Sequence, residues 1–66
     1  VDGEYKLMTY YLVKEIMGSK LVIVGQYKTK QAAINRMWLE EQNKFSFETY
    51  SVCTESEYAE LALKFI

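Results

Sequence analysis

Cys53 and two groups of carboxylates, Glu40-Glu41 and Glu55/Glu57/Glu60, are the side chains whose types and spacing come nearest to chemistry in this chain. A thiol at the start of a helix can lose its proton easily and act as a nucleophile. It needs a base, and the chain has no histidine. That removes the commonest general base and any Ser–His or Cys–His pair. Cys53 therefore reads as a small buried apolar residue. Glu55 and Glu57 sit where the positive end of a helix favours negative charge, which accounts for them without catalysis. Glu41 falls within the apolar stripe of a helix and is expected to reach solvent at the helix end or to pair with Lys44 or a strand lysine.

Other ligand chemistries fare no better. Three scattered glycines make no phosphate-binding loop. One cysteine without histidine cannot build a four-ligand zinc site or a disulfide. The expectation is a non-enzymatic protein with no cofactor and no metal.

The elements that must position these residues are legible from pattern. Thr54-Glu55-Ser56-Glu57 is a capping box, a Ser/Thr followed three residues later by Glu ahead of an apolar run. It predicts a second helix over Tyr58 to Ile66. Thr9 to Met17 is rich in aromatic and β-branched residues on both parities and predicts a first strand covered on both faces for part of its length. Gly18-Ser19-Lys20 is a turn-former, so Leu21 to Tyr27 returns as an antiparallel second strand. Gly25 signals a bulge or a close approach by another element.

Thr29 is the natural cap of a first helix from Lys30 to Gln42, with Ala33, Ile34, Met37 and Trp38 as its apolar stripe. Asn43-Lys44 is a plausible stop, and Phe45 to Val52 alternates as a third strand. The order is strand, strand, helix, strand, helix. This predicts an α+β domain: a three-stranded β-sheet with two helices packed on one face. The helix between strands two and three has the length that a parallel crossover requires, so pairing with strand one would give a mixed sheet. The expected core is Leu12 or Val13, Val22 or Ile23, Ile34, Met37, Trp38, Phe47, Leu61, Ala62 and Phe65.

A chain of 66 residues is one domain and buries only roughly 60% of its unfolded surface, so its stability is marginal without help. Val1 to Leu7 reads as a vector-derived leader, since Val1-Asp2 and Lys6-Leu7 are what common cloning sites encode. The domain proper would then run from Met8 to Ile66. The competing reading is a genuine arm whose Tyr5 and Leu7 extend the first strand. The longest apolar run, Leu21-Val22-Ile23-Val24, is too short to span a bilayer. With no secretory leader in view and a lone thiol, the expected compartment is the cytoplasm.

Half the residues are hydrophobic and 15% are aromatic, while eight basic and nine acidic side chains leave a formal charge of −1. If two helices cover one face of so apolar a sheet, the other face is left open. That argues for a homodimer or an unidentified protein partner, met by Tyr10, Tyr11, Val13, Met17 and Leu39. The alternative is a small RNA or RNA–DNA-hybrid binder that stacks bases on tyrosines, with Lys14, Lys20, Tyr27, Lys28 and Lys30 at the phosphates. The near absence of arginine (Arg36 only) and the slightly negative charge favour protein contact.

The element order, with Tyr10-Tyr11-Leu12-Val13 opening and a Thr-capped last helix, loosely resembles the hybrid-binding domain at the N-terminus of eukaryotic ribonuclease H. That resemblance implies binding of RNA–DNA hybrids through a basic, aromatic surface. Glu15-Ile16-Met17-Gly18-Ser19 stands where that family carries a Gly-rich basic segment, so no binding residue carries over. The compact, proline-free chain also looks like the small accessory proteins of bacteriophages and mobile elements, many of which bind one host protein.

Overall fold

The computed structural model describes residues 8–65, so the leader expected from sequence, with Tyr5 and Leu7 in it, and Ile66, the expected last residue of the second helix, lie outside the described residues. The chain forms β1 (Tyr10–Ile16), β2 (Lys20–Tyr27), α1 (Lys30–Glu41), β3 (Glu48–Thr54) and α2 (Glu55–Leu63). The sheet order is β2-β1-β3, with β1 in the centre. The expected α+β class, element count and element order hold.

The sheet is antiparallel throughout: β1 runs against both neighbours. The mixed sheet anticipated from the crossover length does not form. β2 and β3 do run the same way, but β1 lies between them, and α1 carries the chain across it.

β1 decides how the layers stack. Leu12 and Val13 are adjacent, point to opposite faces, and are both 0% exposed. A strand can bury two successive residues only if both faces are covered. On the Leu12 face lie Lys14, Val52, Tyr50 and Glu48 by cross-strand register, with Val22 from β2. α1 packs there, its Ala33 fully buried and Ile34 and Met37 partly so.

On the Val13 face lie Tyr11, Cys53, Ile23 and Leu21. α2 packs there: the Tyr58 ring sits 5.2 Å from that of Tyr11, and Ala62 and Phe65 line a surface pocket together with Leu21. The helices thus divide between the two faces instead of sharing one. The physical cause is the last junction: Thr54 ends β3 and caps α2 with no intervening loop, which turns the chain onto the side opposite α1.

Both caps form as their sequences predict. Thr29 Oγ1 accepts the Ala32 N–H at 3.1 Å. Thr54 Oγ1 accepts the Glu57 N–H at 3.2 Å while Glu57 Oε1 accepts the Thr54 N–H at 2.8 Å, a reciprocal box. Each such cap is worth about 1 kcal/mol. Burial of Leu12 and Val13 adds roughly 1.5–3 kcal/mol apiece.

The predicted bulge is present: the β1–β2 register shifts between Leu12 and Val13, opposite Gly25 and Ile23, leaving Val24 as the extra residue. The group that closely approaches Gly25 comes from its own strand, not from another element. A Cβ there would lie 2.7 Å from the Tyr27 hydroxyl, whose ring folds back over it.

Three expectations fail in an instructive way. Trp38 is 60% exposed and Phe47 is 47% exposed, so neither belongs to the core. The inward line of α1 runs Ala33, Met37, Glu40, which rotates Trp38 to the outside. β3 begins at Glu48, not Phe45, so the phenylalanines precede the strand. In their place Tyr50 and Cys53 are buried, each 8% exposed.

Candidate interaction surface

Three exposed apolar residues, Met17, Phe45 and Phe47, lie where the hairpin turn is hydrogen-bonded to the entry to β3. Met17 and Gly18 both have positive φ, 54° and 69°, and the Ser19 N–H donates to the Ile16 carbonyl at 3.0 Å. Two successive left-handed residues are the signature of a type I′ turn, whose twist suits a hairpin. Glycine accepts this conformation freely, but methionine does so at a cost. The turn throws the Met17 side chain outward, 75% exposed, while its N–H donates to the Phe47 carbonyl at 2.9 Å.

Glu48 builds the other half. Its N–H donates to the Phe45 carbonyl at 3.0 Å, and its Oε1 accepts the Phe45 N–H at 3.2 Å. This double bracket closes Phe45-Ser46-Phe47 into a tight turn and brings the two rings together. Their centroids are 5.2 Å apart and their planes 3° from parallel, although the residues are 63% and 47% exposed. Glu48 is itself the buried charged residue of the described chain, and its Oε2 lies 3.4 Å from Lys14 Nζ. Lys14 also sits over the Tyr50 ring, 5.9 Å from its centre. Burial pushes the Tyr50 phenol above its ordinary range, with Lys14 acting in the opposite sense. A buried carboxylate, paired with the half-buried Lys14, therefore anchors a solvent-facing aromatic stack.

The residues proposed from sequence for protein contact scatter. Met17 stands in the cluster, and Leu39, 56% exposed, stands on the outer side of α1 next to Trp38. Val13 has no exposed surface to offer a partner. Tyr10 is half-buried beside Tyr27, its register partner. Tyr11 is half-buried against Tyr58, with its hydroxyl 3.5 Å from Glu55 Oε2. The open sheet face that motivated these tyrosines is filled by α2. Phe45 and Phe47 were missed as surface residues because alternation assigned them to a strand. The available signal was the helix stop at Asn43-Lys44, which leaves a turn's worth of chain before Glu48.

The lysines proposed for nucleic acid do not converge. Lys14 is paired with Glu48. Lys20 opens β2, whereas Lys28 and Lys30 lie beyond its far end, with Tyr27 as its last residue. Eight residues of strand separate them by roughly 25 Å. Among the described residues no group of three or more His, Cys, Asp or Glu could hold a metal ion. Among the described residues no helix is long and apolar enough to cross a membrane. Cys53 is buried, and its thiol is pushed above its ordinary range by that burial and by nearby Glu57. That is the opposite of an activated nucleophile.

Comparison with family models, with curated proteins and with solved structures gave no match.

Proposed function

We propose that this chain is a non-enzymatic interaction module that binds another protein through Met17, Phe45 and Phe47. The observation that carries the reading is the pair of stacked phenylalanine rings held in water by a buried carboxylate. Exposed apolar clusters of this kind mark interaction sites, and Met and Phe are enriched at the centres of protein interfaces. A rigid pair of rings loses little conformational entropy on docking, which raises its value as an anchor. The thiol and carboxylates offer no competing catalytic arrangement.

The test is photocrosslinking in cells of the native source, with p-benzoylphenylalanine in place of Phe45 and, as control, of exposed Gln31 on α1. The adduct is identified by mass spectrometry and the interaction rebuilt from purified components. The expected result is a discrete adduct at position 45 alone. Phe47→Ser should then weaken the rebuilt complex by roughly tenfold or more, since hot-spot truncations cost about 2 kcal/mol or above. An adduct with nucleic acid, with affinity falling steeply as salt rises, would replace this reading by the nucleic-acid one. Crosslinks equal at both positions would refute it.

A further inference from the structure

The hydrogen-bond parity of β3 defines a short, open and self-complementary edge. The Met17 N–H donates to Phe47, so the bonded pairs of the β1–β3 ladder are Glu15–Thr49, Val13–Ser51 and Tyr11–Cys53. The backbone groups of Glu48, Tyr50, Val52 and Thr54 then point away from the sheet. The Glu48 N–H is already spent on the Phe45 carbonyl, and the Thr54 N–H on the Glu57 carboxylate. What remains is a window of two residues, Tyr50 and Val52, whose N–H and C=O groups meet no partner among the described residues.

The two edges of the sheet differ. β2, the other edge, carries a bulge, a lysine at its start and Gly25 near its end, features that discourage strand addition. β3 carries none of them. It is regularly paired along its whole length, free of lysine and proline, and its single charge sits at one end.

We infer that β3 pairs antiparallel with β3 of a second copy of this chain, about a two-fold axis at Ser51, to give a continuous six-stranded sheet. That register satisfies the N–H and C=O groups of both Tyr50 and Val52 in reciprocal pairs. Tyr50 bonds Val52 of the other copy in both directions, and Val52 bonds Tyr50 likewise. Centring the axis on Tyr50 or Val52 instead would pair one residue with itself and leave the carbonyl of the other facing the occupied Glu48 or Thr54 amide.

The side chains agree with this register. Tyr50 meets Val52 on the α1 side, a favourable aromatic–β-branched pair. Thr49 meets Cys53, and Ser51 meets itself, on the α2 side. Glu48 meets Thr54, so no like charges face one another. Beside the edge, on the α2 side, lies an open groove lined by Val52, Cys53, Glu57, Glu60, Leu61 and Lys64.

The test combines sedimentation and disulfide trapping on the full chain. The Ser51 pair would be the closely spaced, non-bonded kind, with Cα atoms about 4.5 Å apart, within reach of a disulfide. In a Cys53→Ala background, Ser51→Cys should form a covalent dimer under mild oxidation of the folded protein, while Gln26→Cys on the β2 edge should not. Ser51→Lys places two ammonium groups face to face. It should weaken dimerisation roughly tenfold or more with an unchanged circular dichroism spectrum.

A native chain that is monomeric at millimolar concentration would overturn the inference. So would a dimer that fails to crosslink through Ser51→Cys. If Ser51→Lys does not fold, the crosslinking pair decides alone. Phe47→Ser should leave dimerisation intact, so failure of the aromatic surface and failure of the edge can be told apart.

Discussion

Replacing Met17 by glycine should stabilise the fold while weakening the partner binding proposed above. Met17 holds a left-handed conformation, φ 54°, at the first of two consecutive positive-φ positions. For an L-residue this costs about 1–2 kcal/mol. Glycine removes that penalty but brings a more flexible unfolded chain, which returns about 0.5–1 kcal/mol. The side chain is 75% exposed, so its loss forfeits little burial, and the Met17 N–H that bonds Phe47 survives the change. The net expectation is a gain of about 0.5–1 kcal/mol.

Urea denaturation measures this directly. With a slope near 1 kcal/mol/M for so small a domain, the midpoint should rise by about 0.5–1 M at constant slope. Met17→Asn, which tolerates the same backbone without glycine's entropy, should behave alike. A lowered midpoint for both variants would show that the turn is not left-handed in solution. The reasoning about a strained presenting turn would then fail. A stabilised variant that also loses affinity would fit the usual exchange of stability for function at a binding site.

Glu48→Ala should cost about 2 kcal/mol, because it strands Lys14 against the Leu12 face and leaves the Phe45 N–H without its acceptor. Loss of the Phe45–Phe47 stack should accompany it, visible as released aromatic ring shifts in the proton NMR spectrum. The buried Cys53 thiol has a raised folded-state pKa, as does the Tyr50 phenol. Folding therefore favours their neutral forms, and that contribution is complete below their ordinary ranges and drains away as pH rises through the raised values. Stability should fall above about pH 9, with Cys53→Ala flattening the first part of the decline in a denaturant series run at stepped pH.

The local alphabet of this protein was legible in its residues. Thr29 and Thr54 announced their helices because a cap is a matter of three or four consecutive side chains and the amides beside them. The hairpin followed from a short glycine turn between two β-rich runs, and Gly25 marked its bulge for the same local reason. The buried thiol was read correctly too, from the absence of anything that could activate it. Alternation failed at Phe45 and Phe47 because two aromatic residues spaced by one look the same in a turn as in a strand. The Glu48 bracket back to Phe45 separates the cases, and the helix stop just before it was the hint in the sequence.

Tertiary structure alone decided where the layers go. Which face α2 takes depends on the direction in which the chain leaves β3, and no pattern within either element encodes that. The paired burial of Leu12 and Val13 was written into a first strand apolar on both parities, yet those parities are equally consistent with an exposed face awaiting a partner. Placement of α2 over Tyr11 closed that face. With both faces covered, the strand order β2-β1-β3 leaves β3 at an edge, where its outward backbone groups have no neighbouring strand among the described residues.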